Sequence, residues 1–165
     1  MTDVITFGET MIRLSPPDHL RLEQTSSLNL SAGGAELNVA AGVARLGFKS
    51  AYVSRLPSNP LGRLIANKAR EFGVNVSHIV WADGERVGTY YVEYGAEPRP
   101  TRVYYDRKDS AFAHIQPGMV NWEEVLRGVK LFHVGGITPA LSTSAYETQK
   151  EAMIAAHKAG CLVSY

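Results

Sequence analysis

The stretch Gly33-Gly34-Ala35-Glu36-Leu37-Asn38 is the most informative part of the sequence, because it places two glycines directly before a helix. Glycine lets a backbone approach a ligand closely, and a helix N-terminus presents N–H groups without intrahelical partners. The amide of Asn38, about one turn into the helix, offers donors and an acceptor together, which suits a polyhydroxylated molecule. The pattern therefore predicts a small-molecule site at Gly33, Gly34 and Asn38. The same spacing is equally compatible with a plain tight turn between a strand and a helix.

Short apolar runs and amphipathic segments alternate on both sides of this stretch. Strands are predicted at 4–7, 49–55, 76–81, 130–134 and 161–165, and helices at 36–46, 60–72, 121–129 and 144–159. Asn59 and Pro60 are expected to begin the second helix, and Ser144 with Glu147 predicts a capping box for the last one. Strands that alternate with helices favour an α/β fold with a mostly parallel sheet and helices on both faces.

One segment departs from that alternation. Residues 87–94 and 101–106 are two segments rich in β-forming residues, and successive side chains in each would face opposite sides of a strand. A turn containing Gly95, Pro98 and Pro100 separates the two segments. This pattern predicts a hairpin over about 87–107, standing apart from the main core as a lid.

The hairpin also carries side chains that suit ligand binding. Strand alternation places Tyr105 and Arg107 on one face, and Tyr90 comes from the facing strand. A guanidinium can hold a carboxylate in bidentate fashion, so this face could close on an acidic sugar. The alternative is a hairpin that is merely stable, or whose edge forms a dimer contact.

Charge and cysteine content exclude several classes of protein. Lys plus Arg number 17 against 16 for Asp plus Glu, and the charges are scattered, so neither nucleic acid nor an acidic membrane is an expected partner. The single cysteine, Cys161, lies in an apolar run and is expected in the core. Neither a signal peptide nor an apolar run of about 18 residues is present, which predicts a cytoplasmic protein.

Several familiar catalytic patterns are missing from the sequence. The five histidines show no metal-ligand spacing, so no protein-bound metal is predicted. There is no P-loop, no G-x-G-x-x-G fingerprint and no G-x-S-x-G elbow. The residues alone therefore predict a small-molecule-binding α/β unit without defining its reaction.

Separated motifs nevertheless match one family in its own order. They are Thr6-Phe7-Gly8-Glu9, Gly33-Gly34-Ala35-Glu36-Leu37-Asn38-Val39-Ala40, Ala44-Arg45-Leu46-Gly47, Leu61-Gly62, Tyr104-Tyr105-Asp106-Arg107, Ser110-Ala111 and Gly136-Ile137-Thr138-Pro139-Ala140-Leu141. With these motifs the chain resembles the ribokinase-like (PfkB) carbohydrate kinases, and within them most closely the 2-keto-3-deoxygluconate kinases.

The resemblance implies a three-layer α/β/α core with a β lid, and transfer of the γ-phosphoryl group of ATP, with Mg²⁺, to a sugar hydroxyl. It also implies that Gly33 and Gly34 meet the sugar through the backbone and that Asn38 bonds its hydroxyls. Tyr90 and Tyr105 would line the pocket from the lid, and Arg107 would pair with the carboxylate of an acidic sugar.

Family members are about twice as long, and their Gly-Ala-Gly-Asp motif, catalytic Asp and most of the ATP site lie in the second half. Residues 1–165 are therefore expected to be the amino-terminal part of one domain, truncated within a strand, with no catalytic residue and no activity alone. One alternative is another sugar kinase of the family, of the fructokinase or ribokinase type. The other is a non-catalytic sugar-binding or dimerisation module that pairs with a second copy through the lid.

Overall fold

A five-stranded, fully parallel sheet forms the centre of the structure, a computed structural model that describes residues 2–165. Its strands, in spatial order, are β5 (Ile79–Ala82), β4 (Ser50–Pro57), β1 (Val4–Phe7), β8 (Leu131–Val134) and β9 (Leu162–Ser164). β1 is the middle strand, and its last residue, Phe7, lies between Val53 and Val134. The loops that follow β1 and β8 therefore emerge side by side at the carboxyl edge, where open α/β sheets place their ligands.

Helices cover both faces of this sheet. On one face lie α1 (Ala35–Arg45) and α2 (Pro60–Glu71), and on the other lie α3 (Trp122–Val125) and α5 (Thr143–Lys158). The alternation of side chains along β4 shows the two layers. Tyr52 packs with residues of α1 and α2, whereas its neighbours Ala51 and Val53 pack with residues of α3 and α5. Because this part of β4 is buried on both faces, successive residues such as Ala51, Tyr52 and Val53 are all largely apolar.

The second helix begins as its sequence predicts. The Asn59 side chain accepts hydrogen bonds from the N–H groups of Leu61 and Gly62, and Pro60 occupies the first helical position. Four small or apolar residues form the buried face of this helix. Gly62, Ile65, Ala66 and Ala69 are buried, while Leu61 and Phe72 are 37% and 36% exposed.

The predicted hairpin is half of a larger lid. A second sheet has the order β3 (Asn29–Gly33), β2 (Met11–Ser15), β6 (Thr89–Glu93) and β7 (Arg102–Asp106). β6 and β7 are the predicted hairpin, whereas β2 and β3 were not predicted. The reason is that β2 is only five residues long and precedes Pro16-Pro17, and β3 ends within the glycine pair that reads as a turn.

The start of the last long helix corrects a prediction. Ser142, not Ser144, is its N-cap: Ser142 is extended, and its Oγ accepts a hydrogen bond from Ala145 N at 3.0 Å. Ser144 lies inside the first turn, where its Oγ contacts the Ala113 carbonyl oxygen at 3.4 Å. A short preceding helix, α4 (Thr138–Leu141), moves the boundary toward the N-terminus.

Cys161 is buried as expected, and its thiol donates to the Val129 carbonyl oxygen at 3.2 Å. None of the helices between residues 2 and 165 is long and apolar enough to span a bilayer. The pairing of two copies through the lid stays a prediction.

Candidate functional site

The glycine turn joins the lid to the core, because Gly33 ends β3 and Gly34 is the N-cap of α1. Both positions are crowded by neighbouring protein atoms. A Cβ on Gly33 would lie 2.1 Å from the Tyr90 Oη, and one on Gly34 would lie 2.4 Å from the Thr10 Oγ1. Gly34 has φ −162°, so close packing and not a left-handed backbone makes glycine necessary here. The turn is therefore pressed against the lid tyrosine and against the segment that follows β1.

Asn38 lies in the first turn of α1, where its N–H donates to the Gly34 carbonyl oxygen at 2.9 Å. Asn38 is exposed, so its side-chain amide is accessible from solvent. The donors and the acceptor of this amide are thus available to a hydroxylated ligand.

Tyr90 and Tyr105 face each other across the lid. They are direct partners in the β6–β7 register, and their rings stack with centroids 5.8 Å apart and planes inclined by 28°. Burial raises the pKa of Tyr90, so its hydroxyl keeps its proton at neutral pH and can donate a hydrogen bond. Tyr105 is 62% exposed and offers its ring to solvent or to a ligand.

Arg107 follows β7 and lies beside the Tyr105 ring, with its guanidinium carbon 5.8 Å from the ring centroid. Its Nε donates to the Glu9 Oε2 at 2.9 Å, and its Nη2 donates to the same oxygen. The other oxygen of Glu9 accepts from the Ser110 Oγ at 2.6 Å. The Glu9 side chain is 1% exposed and that of Arg107 is 20% exposed. Arg107 therefore binds a buried carboxylate while part of its own side chain reaches the surface.

The segment that carries Glu9 is itself held firmly. The fully buried Tyr52 donates from its hydroxyl to the Gly8 carbonyl oxygen at 2.7 Å, and the Thr10 Oγ1 lies 2.7 Å from the same hydroxyl. Ser54 also donates to the Gly8 oxygen, at 2.8 Å. These bonds fix the backbone between the central sheet and the lid on the side of Glu9.

A second buried carboxylate, Glu36, lies beneath the turn. It is 1% exposed, and neither of its oxygens has a hydrogen-bond partner among the described residues. It fills space that glycines leave open: a Cβ on Gly8 would lie 2.3 Å, and one on Gly135 2.1 Å, from its oxygens. Burial raises the pKa of Glu36, and this effect outweighs the opposing effects of its own backbone N–H and of the Arg107 charge.

The structure brings five of the six predicted residues into one chain of contacts. Tyr90 lies against Gly33 and stacks on Tyr105, Tyr105 lies beside Arg107, and Arg107 is bound to Glu9, whose carbonyl oxygen would lie 2.6 Å from a Cβ on Gly34. The sixth, Asn38, is one turn along α1 from Gly34.

Sequence reasoning assigned no role to Glu9, Ser110 or Glu36. A usable signal existed for Glu9, because it follows the end of a buried strand, where polar side chains collect in parallel sheets. Glu36 gave no such signal, because an acidic residue in the first turn of a helix is ordinarily exposed and favourable there.

A kinase of the resembled family would also use Mg²⁺. Between residues 2 and 165 there is no group of three or more His, Cys, Asp or Glu side chains that could hold a metal ion. We therefore assign no metal ligand and derive no step through a metal.

Comparisons with known proteins agree with this architecture. Residues 1–165 match the family model described as pfkB family carbohydrate kinase. The 2-dehydro-3-deoxygalactonokinase of Haloferax volcanii is 42% identical over 163 residues, which cover 99% of this chain and 51% of that protein. Probable fructokinase-2 of Arabidopsis thaliana is 31% identical, covering 98% of this chain and 49% of its own length.

A solved structure of a sugar kinase has the same fold. The crystal structure of 2-dehydro-3-deoxygluconokinase from Thermotoga maritima is 43% identical, with a TM-score of 0.95 over 99% of this chain and 50% of that one. The fold is thus part of a ribokinase-like α/β/α domain with a β lid. The chain belongs to the pfkB family of carbohydrate kinases, and it spans about half the length of the relatives it matches.

Proposed function

We propose that the protein is an ATP-dependent sugar kinase whose substrate is 2-dehydro-3-deoxygluconate, and that the residues described above bind and orient this sugar acid. The chain covers about half of its relatives, so the reaction of the whole protein is part of the proposal. ATP is the proposed phosphoryl donor, and Mg²⁺ is the proposed metal cofactor that accompanies ATP. The residues in hand are assigned to sugar binding alone.

The observation that carries the proposal is the free edge of the Arg107 guanidinium. A guanidinium has five N–H donors, and Glu9 takes two of them, one on Nε and one on Nη2. Both Nη1 donors and one Nη2 donor remain, and they form a second fork of the kind that holds a carboxylate in bidentate fashion. This fork lies beside two stacked tyrosines that can cover a sugar ring.

The remaining groups suit the hydroxyls of such a ligand. The Tyr90 hydroxyl and the Asn38 amide supply both donors and acceptors, and Gly33 and Gly34 keep the turn free of side chains. A ligand that ends in a carboxylate and carries several hydroxyls would match this combination.

Arg107 distinguishes sugar acids from neutral sugars. Fructose has no carboxylate, so a fructokinase would have no use for the free fork. The gluconate and galactonate forms differ in the configuration of a hydroxyl and share the carboxylate, so Arg107 accepts either. The choice between them belongs to the groups that contact hydroxyls, Asn38 and Tyr90.

The test is Arg107→Gln in the protein expressed from its complete reading frame, with Arg102→Gln as the matched control. Arg102 is an exposed arginine on the same lid strand. Loss of a charged hydrogen bond, about 1.5–3 kcal/mol, should raise KM for 2-dehydro-3-deoxygluconate roughly 10- to 100-fold in the Arg107 variant.

The Arg102 variant should keep the KM of the unchanged protein. Thermal unfolding of both variants must accompany the kinetics, because Arg107→Gln also leaves the buried Glu9 carboxylate without its cationic partner. A folded Arg107 variant with an unchanged KM would rule out the carboxylate role.

A further inference from the structure

Glu9 connects two parts of the molecule that lie far apart in the sequence. It lies in the short segment between β1 and β2, and its carboxylate receives donors from Arg107 and Ser110, about 100 residues further along the chain. The packing around it is close: a Cβ on Gly88 would lie 3.0 Å from the Glu9 Oε1 and 3.3 Å from the Arg107 Cβ. The end of the lid is therefore fastened to the central sheet at this carboxylate.

From this arrangement we infer that Glu9 is a positioning residue for the sugar-acid site, which turns the Nη1–Nη2 fork of Arg107 toward the substrate carboxylate. The inference rests on the proposed function. Two bonds to one Glu9 oxygen, from Nε and Nη2, fix both the plane and the direction of the guanidinium. Without them, the long side chain would be free to sample many rotamers before a ligand arrives.

The opposite role, in which Glu9 competes with the substrate for Arg107, fits the contacts less well. Glu9 is almost completely buried, and Arg107 is its cationic partner. Removing that partner would leave a buried unpaired charge, which costs more than one new charged hydrogen bond gains. Arg107 should therefore keep its bonds to Glu9 and bind the substrate with its remaining donors.

Ser110 strengthens the same arrangement. Its Oγ donates to the Glu9 Oε1, and it accepts a hydrogen bond from the Ala113 N–H at 3.2 Å. The carboxylate is thus held at both oxygens, so its orientation does not depend on Arg107 alone.

The experiment uses Glu9→Gln in the protein expressed from its complete reading frame. Isothermal titration would compare two ligands, 2-dehydro-3-deoxygluconate and its neutral primary amide. The Gln side chain retains the size of Glu9 but loses the charge that holds the guanidinium. We expect the Kd for the acid to rise roughly 10-fold, which is typical for loss of a group that orients a binding residue. The Kd for the amide should change little.

Glu85→Gln is the matched control. Glu85 also pairs with a buried arginine at the junction of lid and core, since its Oε2 lies 2.5 Å from the Arg55 Nη1, but it does not contact Arg107. This variant should not distinguish the acid from the amide.

Two further variants separate this inference from the proposed function. In an Arg107→Gln background, Glu9→Gln should cause no additional loss of affinity for the acid. An equal loss for acid and amide would make Glu9 merely structural, and tighter binding of the acid would make it a competitor; either result overturns the inference. If Arg107→Gln alone leaves the affinity for the acid unchanged, the proposed function fails instead.

Discussion

Glu9 and Glu36 are two buried carboxylates near the same turn, and they differ in their partners. Glu9 has donors on both oxygens, whereas Glu36 has none among residues 2–165. A buried group without partners bears the full cost of desolvation, which is why the pKa of Glu36 is raised. Glu36 therefore fills a space between two loops at the expense of stability.

Replacing Glu36 by Gln should stabilise the protein at neutral pH. Because the folded pKa lies above the unfolded value, ionisation favours unfolding, so the original protein loses stability as the pH rises from about 4.5, the ordinary value, through the folded pKa. The variant lacks this loss. Its free energy of unfolding should exceed that of the original by about 1 kcal/mol or more at pH 7, and the difference should shrink toward pH 4.

Urea unfolding between pH 4 and pH 8 measures this difference. Glu123→Gln, at an exposed glutamate of α3, is the control and should change the free energy of unfolding by less than about 0.5 kcal/mol. A Glu36 variant that is less stable than the original at pH 7 would mean that the carboxylate has a stabilising partner.

The two buried carboxylates also show where sequence reasoning stops at this scale. The roles proposed for Asn38 and Arg107 follow from the chemistry of their own side chains, so the sequence alone was enough to suggest them. The surroundings of Glu36 depend on Gly8 and Gly135, which come from loops on neighbouring strands. Only the parallel register of β1 and β8 brings those loops together.

At the scale of elements, the start of α5 gives a direct test of the corrected boundary. Ser142 accepts from the Ala145 N–H and also donates to the Ala113 carbonyl oxygen at 2.6 Å, whereas the Ser144 Oγ makes a long contact to that oxygen and lies 3.2 Å from the Ser142 Oγ. Ser142→Ala should therefore lower the free energy of unfolding by about 1–2 kcal/mol, and Ser144→Ala by less than about 0.5 kcal/mol.

The measurement is the midpoint of urea unfolding for each variant. If the dependence of the free energy of unfolding on urea concentration is unchanged, a shift in the midpoint reports a change in stability alone. Equal losses of unfolding free energy, or a larger loss for Ser144→Ala, would mean that Ser144 contributes to the cap, as the capping-box pattern indicates. The pattern was misleading because Ser142 and Ser144 are both good capping residues, and the choice depends on α4 ending at Leu141.

The two sheets illustrate why some elements are readable from sequence and others are not. The strands of the central sheet are continuous apolar runs, because both of their faces are buried. In the lid, β2 mixes buried and half-buried residues, and no residue of β3 is fully buried. Their short, mixed sequences become strands by pairing, β3 with β2 and β2 with the distant β6, which no local sequence pattern shows.

At the scale of the whole molecule, the candidate site lies where the lid meets the carboxyl edge of the central sheet. The Glu9–Arg107 and Arg55–Glu85 pairs both join residues near the central sheet to residues next to the lid strands. The turn at Gly33 and Gly34 is a third connection, through the backbone. A ligand held by Asn38 on one side and by Tyr105 and Arg107 on the other would contact α1 and the lid at once.

We propose that this junction selects an acidic sugar for phosphorylation. The most direct measurement is kcat/KM of the protein expressed from its complete reading frame, with ATP, for 2-dehydro-3-deoxygluconate and for fructose. A carboxylate bound by the free fork of Arg107 should favour the acid by at least 10-fold, the scale of one charged hydrogen bond. A preference for fructose, or no ATP-dependent phosphorylation of the acid, would rule out a sugar acid as the substrate selected by Arg107.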